Sequence, residues 1–446
     1  MDTSQVDPEA PQAIVRFTEA LDCVRNWAAA HKAILPKEMV VLRDLRGRFR
    51  LILAGSGQTP SLEFRAACNL LHSGLGAYSP GERALLVTGD DFLGADELLK
   101  SRDLRPLFPE EPDGLKLLDR EPQNADWLRT ADPIPGVSVT TFYGLKGGVG
   151  RSTALALVAF KLAEQGRKVM AVDLDLESPG ITSMLLPPDR LPAYGLIDWF
   201  VESAVGQADA QLVKGMLAKS PLARETSGEV LVAPAFGSGE RDYLAKLARA
   251  YLDQPSSREP KDFALMLHEG LSALAAQAGA EVLLLDSRAG LHDIAASAVV
   301  RLGAQSLLFA TDAAQTWNAY RLLFNHWKSF PERLLGFREN LKLVDALIPE
   351  TERGAHADSF LQNAYQLFSE TIYEQAGPGE TPEFSFDLAD PDAPHSPLPI
   401  RWSRVFQGFD PLAKAGQVAP GEVAAAYGDF LDGVLGLLSN PSGVPS

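Results

Sequence analysis

The sequence of 446 residues has few of the residues that build disulfide frameworks or metal clusters. It contains two cysteines, Cys23 and Cys68, without metal-ligand spacing, and its 7 histidines are scattered. Two reduced thiols in a reducing cytosol are the simplest interpretation. The stretch from Met1 to Gln5 is polar and acidic, unlike a signal peptide, and no apolar run is long enough to span a bilayer. We therefore expect a cytoplasmic protein without a membrane anchor.

Positive charge is also scarce. The chain carries 41 lysines and arginines against 58 aspartates and glutamates, a net charge of −17. Because electrostatic binding to a nucleic-acid backbone needs a basic surface, we expect no strong nucleic-acid binding. The last helical pattern, residues 420–438, has three acidic residues and neither lysine nor arginine, so a basic membrane-binding helix is not expected there either.

The most informative segment is a glycine-rich loop, residues 142–153, with the sequence FYGLKGGVGRST. It follows the β-branched run 137–141 and precedes a helical pattern. Glycines allow consecutive N–H groups to turn inward, and a helix N-terminus adds its positive end, so strand, loop and helix predict a phosphate cradle. Ser152 is placed to bind Mg²⁺. The predicted nucleoside triphosphate ligands are Lys146, Gly147, Gly148, Val149, Gly150, Arg151, Ser152 and Thr153.

This loop resembles the deviant Walker A motif of the ParA/MinD class of P-loop ATPases, in a variant branch described by the letters KGGVGR. It departs from an ordinary P-loop at Leu145, in place of the first glycine, and at Arg151, in place of the phosphate-binding lysine. The resemblance implies ATP and Mg²⁺ as cofactors and a homodimer that forms around ATP. It also implies that Lys146 is catalytic and reaches the nucleotide of the opposite subunit.

Two later apolar runs, 168–175 and 281–286, are typical of buried parallel strands that end in carboxylates. The resemblance assigns the residues at these strand ends. Asp175 would orient the attacking water, Asp173 would contribute to the nucleotide site, and Asp286 would hold Mg²⁺ through water. The same resemblance makes Gly290 the switch glycine that faces the γ-phosphate, although Arg288 and Ala289 stand where the family usually has prolines.

The base pocket carries a weaker signal. Residues 410–416 loosely resemble the late segment that closes over the base in this family, which would place Pro399 and Arg401 near adenine. The strand end at residues 343–345 is the other candidate. No Asn-Lys-x-Asp guanine signature follows any strand, which favours ATP over GTP.

Boundary signals predict an N-terminal α+β module, residues 1–132, and a nucleotide-binding domain, residues 133–446. The fold expected for the second domain is α/β, with a doubly wound, mostly parallel sheet. The module is expected to contain a helix over 11–31, a hairpin at 39–43 and 48–53, a helix over 62–75, a strand over 84–88 and a helix capped by Asp90 or Asp91.

Two features of the chain each allow two interpretations, and a third is predicted from composition alone. The arginines 43, 46, 48 and 50 form either a solvated hairpin face or a contact for an acidic partner. The aromatic stripe of the helix near Trp317 indicates a core face, with a partner groove as the alternative. Residues 377–397, rich in proline and acidic residues, predict a surface loop.

The function expected from these features is a cytoplasmic ATPase switch whose ATP-bound dimer recruits or regulates a protein partner. The resemblance suggests a multi-gene regulatory or conflict system as its setting. One alternative is a scaffold that binds ATP without hydrolysing it, because arginine does not replace lysine conservatively at a phosphate site. Another is a ParA-like ATPase that positions DNA or cargo, which the negative charge disfavours. A tyrosine autokinase would need a tyrosine-rich tail, and a metabolic transferase would not need Lys146.

Overall fold

The computed structural model describes residues 14–53, 60–88, 98, 101, 104–120, 127, 133–239, 241–251, 263–375, 382–414 and 419–439. The chain divides into two compact units, Met1–Pro122 and Gln123–Ser446. Trp127 packs in the second unit, where its carbonyl accepts a hydrogen bond of 3.1 Å from the indole of Trp327. The boundary after residue 132 stays a prediction. Within the described ranges, no helix combines the length and hydropathy needed to cross a membrane.

The first unit is an α+β fold with a five-stranded sheet in the order β3-β2-β1-β5-β4. Its first two strands form the expected antiparallel hairpin, and the other neighbours of β1 and β2 run parallel to them. The elements are β1 Met39–Arg43, β2 Phe49–Leu53, β3 Leu86–Thr88, β4 Leu104–Pro106, β5 Lys116–Asp119, α1 Phe17–Ala30, α2 Leu62–Leu75 and α3 Glu82–Leu85.

The core of this unit explains the strand and helix patterns. Alternate side chains of β1 and β2, such as Val41 and Leu51, are buried against apolar side chains of α1 and α2, such as Trp27 and Phe64. Because side chains of a strand alternate between faces, one sheet face supplies this core.

Two boundaries in the first unit differ from the sequence prediction. Helix α1 begins at Phe17 rather than near residue 11, since Arg16 is extended, with φ −96° and ψ 165°. The strand expected over 84–88 begins only at Leu86, because Glu82–Leu85 forms a helical turn. The helix expected after Asp90 or Asp91 lies outside the described residues.

The arginine cluster is engaged within its own unit. The carboxylate of Asp44 accepts hydrogen bonds from Arg48 at 3.2 Å and from Arg50 at 2.7 Å. Arg43 is buried, with its guanidinium 3.5 Å from the ring centroid of Phe17. These internal partners favour a structural role over an acidic-partner contact.

The second unit is built on an eight-stranded sheet in the order β13-β12-β11-β6-β10-β7-β9-β8. Among its described strands, only β8 and β9 pair antiparallel. The α/β, mostly parallel prediction is confirmed. The strands are β6 Ser138–Gly144, β7 Lys168–Asp173, β8 Ala218–Lys219, β9 Glu229–Ala233, β10 Val282–Asp286, β11 Gln305–Ala310, β12 Leu341–Ile348 and β13 Leu398–Arg401.

Helices cover both faces of this sheet. They are α4 Arg151–Glu164, α5 Ile181–Leu185, α6 Leu196–Ala204, α7 Ala210–Lys214, α8 Tyr243–Ala250, α9 Phe263–Ala278, α10 Asp293–Val300, α11 Ala314–Lys328, α12 Pro331–Leu334, α13 Arg353–Thr371, α14 Pro411–Lys414 and α15 Pro420–Ser439.

The two layers can be followed along one strand. In β7, Val169 and Ala171 share a core with α4 and α15, whereas Met170 and Val172 share a core with α6 and α9. Burial on both faces explains why these strands read as continuous apolar runs rather than as alternating ones.

The aromatic stripe of α11 packs inside the unit. Tyr320, Phe324 and Trp327 are fully buried beside apolar residues of α13, so the core-face interpretation is confirmed. The surface-loop prediction for 377–397 is confirmed only in part over the described residues 382–397. Acidic side chains such as Glu383 and Asp392 are exposed, but His395 is fully buried and shares a 2.5 Å hydrogen bond with the hydroxyl of Tyr373. Aromatic packing overrides the polar composition of that loop.

Strand order decides where a ligand can bind. The chain continues from β6 to β7, and β10 later inserts between these two strands. The next strand, β11, lies on the other side of β6. The carboxyl ends of β6, β7 and β10 therefore meet where the winding direction changes, which is the usual ligand site of an open α/β sheet.

Candidate functional site

The glycine-rich loop joins the end of β6 to the first turn of α4. Gly148 and Gly150 have φ values of 77° and 81°, a left-handed conformation that glycine adopts without strain. A Cβ atom added at Gly148 would meet nothing within 4 Å. The first N–H groups of α4 have no intrahelical acceptors, so the loop and helix end form a site suited to an anion.

A cavity of about 460 Å³ opens in front of this loop. Its loop side is formed by Gly148, Gly150 and the first residues of α4. Its volume lies in the range typical of small-molecule sites. The other side is formed by Met184, Leu347, Arg401, Trp402, Ser403, Phe406, Gln407, Gly408 and Tyr427.

Two buried carboxylates lie side by side behind the loop. Asp173 and Asp286 are register partners at the ends of β7 and β10, and neither is more than 2% exposed. Burial, and then the negative charge of Asp286, raise the pKa of Asp173, and burial likewise raises the pKa of Asp286. A nearby cation would relieve the cost of keeping both groups ionised.

Ser152 links this pair to the loop. Its hydroxyl donates a 2.6 Å hydrogen bond to Oδ2 of Asp286. The other carboxylate oxygen of Asp286, Oδ1, is buried and has no hydrogen-bond partner among the residues that the structure describes. Buried polar atoms are nearly always paired, so this oxygen marks a position for a ligand or water.

Asp173 is held by a residue that the sequence analysis missed. Oδ2 of Asp173 accepts hydrogen bonds from the backbone N–H of Thr182 at 2.9 Å and from its hydroxyl at 2.6 Å. The hydroxyl of Thr182 in turn accepts from the N–H of Ala235 at 3.0 Å. Thr182 belongs to no motif, and its role depends on how α5 packs on the end of β7.

Asp175 lies next to this pair and is half-buried. Its N–H donates to Oδ1 of Asp173 at 3.2 Å, and its own Oδ1 accepts from the N–H of Ser178 at 3.1 Å. Burial raises the pKa of Asp175. Asp175 therefore belongs to the same carboxyl-end cluster as Asp173 and Asp286.

The two loop cations lie in different environments. Arg151 is 9% exposed, and its Nη1 donates to the carbonyl of Gly144 at 3.4 Å. Lys146 is exposed, and its Nζ donates to Oε1 of Gln315 at 3.2 Å. Gly290, with φ 92°, donates its N–H to the same Gly144 carbonyl at 3.1 Å.

Of the two residues expected near the base, Arg401 lines the cavity, whereas Pro399 is not among the lining residues described. The alternative at 343–345 ends in Asp345, whose carboxylate contacts His356 at 3.0 Å instead of the cavity. The sequence analysis missed Trp402, Phe406 and Tyr427. The aromatic spacing of Tyr427 and Phe430 in α15 was the available signal.

The site suits a magnesium–nucleotide complex. Mg²⁺ prefers hard oxygen ligands, and the Ser152 hydroxyl and the unpaired Asp286 oxygen supply them at the edge of the loop. The positive-φ glycines leave open space for phosphate oxygens next to the N-terminus of α4.

Comparisons with known proteins find a matching family model and several solved structures. A family model described as the CobQ/CobB/MinD/ParA nucleotide binding domain matches residues 140–357. No curated protein matches the sequence.

Solved structures with a similar chain path include a ParA family ATPase from Chlorobium tepidum TLS, 15% identical, with a TM-score of 0.42 over 66% of this chain and 98% of that one. The cell division ATPase MinD from Pyrococcus furiosus is 18% identical, with a TM-score of 0.40 over 67% and 99%. Cobyrinic acid a,c-diamide synthase from Mycobacterium smegmatis, solved with an ATP analog and magnesium, is 18% identical, with a TM-score of 0.41 over 70% and 99%.

The matched residues, 140–357, include the glycine-rich loop and strands β7 to β12. Residues 140–357 of the second unit are therefore a region that matches the CobQ/CobB/MinD/ParA nucleotide binding domain, the domain type of ParA/MinD P-loop ATPases.

Proposed function

We propose that the protein is a cytoplasmic, Mg²⁺-dependent ATPase that works as a dimerisation switch for a protein partner. The observation that carries this proposal is the junction of Ser152 and Asp286, whose contact of 2.6 Å leaves one buried carboxylate oxygen unpaired at the mouth of a glycine-rich loop. Two hard oxygens at the edge of an anion site suit a metal that accompanies phosphates.

Each residue has a task in this proposal. The N–H groups from Gly147 to Thr153 bind the phosphates, and Ser152 and Asp286 hold Mg²⁺, the latter through water. Mg²⁺ supplies charge neutralisation for the β- and γ-phosphates. Arg151 adds a fixed positive charge behind the loop, and the wall of the cavity from Arg401 to Tyr427 encloses the base.

The hydrolytic residues lie at the ends of β7 and β10. Asp175 orients the attacking water, supported by its hydrogen bond with Ser178 and its position beside Asp173. Gly290 lies in the segment that follows β10, and its N–H donates to the Gly144 carbonyl. In this proposal Gly290 faces the γ-phosphate, so the segment changes position when that phosphate binds or leaves. Lys146, exposed at the surface, is available to a second subunit.

The test compares two glycines with the same left-handed backbone conformation, in which a valine would be equally strained. Gly150 and Gly206 have φ values of 81° and 74°, but only Gly150 borders the cavity. We expect Gly150→Val to abolish binding of Mg-ATP in calorimetry and Gly206→Val to leave it intact. Unchanged affinity in a folded Gly150→Val protein would remove the proposed site.

A scaffold that binds ATP without hydrolysing it is the second candidate, favoured by the placement of Arg151. Its guanidinium is buried and donates to Gly144, whereas a lysine ammonium in its place could be directed at phosphate. Arg151→Lys separates the two functions. Faster turnover in the variant at similar ATP affinity supports a slowed ATPase, and no turnover in either protein supports the scaffold.

A further inference from the structure

The segments that follow β7 and β10 are joined by an ion pair that the function above does not use. Both guanidinium Nη atoms of Arg288 contact the carboxylate of Glu177, so the pair is bidentate. The side chains of Arg288 and Glu177 are 25% and 34% exposed, so water screens the pair only in part.

Arg288 is fixed at the edge of the phosphate loop by its neighbours in the chain. The N–H of Ser287 donates to the carbonyl of Phe142 at 3.2 Å, and the N–H of Gly290 donates to that of Gly144 at 3.1 Å. Both acceptors belong to β6, the strand that leads into the loop. The backbone of Arg288 is therefore tied to the phosphate site, while its guanidinium is turned toward Glu177.

Resting on the function proposed above, we propose that Arg288 is a γ-phosphate ligand that Glu177 holds until a nucleoside triphosphate binds. A guanidinium presents the same fork of donors to a carboxylate and to a phosphate, so the two anions can exchange as its partner. The γ-phosphate carries more negative charge than Glu177 and supplies more acceptor oxygens. A diphosphate lacks that group and leaves the Glu177–Arg288 pair closed.

The surroundings of the pair fit an exchange of partners. Tyr251 has a buried hydroxyl without a hydrogen-bond partner among the described residues. Burial, and then the negative charge of Glu177, raise the pKa of Tyr251, so the two groups are electrostatic neighbours. Arg288 also affects Asp175. Burial is the larger effect and raises the pKa of Asp175, whereas the positive charge of Arg288 lowers it.

Opening the pair also changes the contact between the two segments that carry Asp175 and Gly290. In the closed state Glu177, two residues after Asp175, is bound to Arg288, two residues before Gly290. Exchange of Glu177 for phosphate releases one segment from the other only when a triphosphate is bound. The pair thus gives the switch a means of distinguishing ATP from ADP within one subunit.

The experiment measures the affinities of ADP and of a non-hydrolysable ATP analogue by calorimetry with Mg²⁺. We expect Arg288→Gln to weaken analogue binding about tenfold, equivalent to about 1.4 kcal/mol, with ADP affinity within about twofold of wild type. Glu177→Gln should tighten analogue binding severalfold and leave ADP unchanged. In the Arg288→Gln background, Glu177→Gln should have no further effect, since the two act on one contact.

The same two strands offer a matched control at their opposite ends. Arg167 and Glu281 directly precede β7 and β10 and form an ion pair of 2.6 Å. We expect Glu281→Gln to change neither affinity. Arg288→Lys keeps the positive charge but not the pair of guanidinium donors, so it should lose part of the affinity for the ATP analogue. This variant replaces Arg288→Gln in the experiment if Arg288→Gln does not fold.

Equal effects of Arg288→Gln on both nucleotides, or none on either, would overturn the inference while the proposed function stands. Weaker analogue binding in Glu177→Gln would also overturn it, since the carboxylate would then support the phosphate site. A folded wild type that binds neither nucleotide overturns the proposed function, and this inference with it.

Discussion

Asp173 and Asp286 are register partners on adjacent parallel strands, so two buried carboxyl groups lie side by side at the end of the sheet. Burial raises the pKa of both, and each negative charge would further penalise the other. Thr182 and Ser152 supply the hydrogen bonds that keep the pair in place. Among the described residues, the fold thus places two carboxylates with no countercharge between them next to the phosphate loop.

This pair predicts that the nucleotide-free protein loses stability as pH rises. A raised folded-state pKa means that the folded protein binds more protons than the unfolded chain above the usual carboxyl pKa of about 4. The stabilisation is complete below that value and decreases as pH rises through the raised pKa values. We expect melting temperature to fall by several degrees between about pH 5 and pH 8. Asp286→Asn should flatten this dependence, and a variant with an unchanged pH profile would contradict the prediction.

Ser152→Ala should weaken nucleotide binding mainly when Mg²⁺ is present. The change removes one oxygen ligand and also the donor to Asp286, which leaves that carboxylate with two unpaired oxygens. Hydrogen bonds to charged groups contribute about 1.5–3 kcal/mol, so we expect a loss of about tenfold or more in Mg-ATP affinity. In EDTA the variant and wild type should bind ATP alike. An equal loss with and without Mg²⁺ would contradict a metal-ligand role.

Light scattering under saturating Mg-ATP tests the dimer. We expect wild type to dimerise, Asp175→Ala to remain dimeric because the water is no longer oriented, and Lys146→Ala to bind ATP as a monomer. Lys161→Ala is the matched control, since Lys161 is an exposed lysine whose partner, Glu164, lies on the same helix at 3.2 Å. A wild type that keeps its monomeric size with ATP would contradict the switch.

Duplex DNA should bind weakly even with ATP. With a net charge of −17 and no lysine or arginine in residues 420–438, the chain has little with which to replace phosphate counterions. At about 0.15 M salt we expect dissociation constants weaker than about 10⁻⁴ M for random-sequence DNA. Micromolar, ATP-dependent binding would instead support a DNA-positioning role, and Arg46 in the hairpin turn would be the first residue to test.

The sequence by itself determined the phosphate loop and the strand ends, because both are local. The glycines from Gly147 to Gly150 and the residues that begin α4 are contiguous, so their spacing alone specifies a cradle. Long apolar runs ending at Asp173 and Asp286 specified buried parallel strands, since such strands need apolar side chains on both faces. The α/β fold followed from the order of these segments.

Tertiary structure decided the rest, because the remaining contacts join distant parts of the chain. Ser152 meets Asp286 across 134 positions, and Glu177 meets Arg288 across 111. Neither pairing has a local pattern, since strand order rather than spacing brings the partners together. The burial of Arg151 and the aromatic wall at Tyr427 depend likewise on how helices pack on the sheet. Packing of that kind depends on the shapes of many side chains at once, which no short stretch of sequence contains.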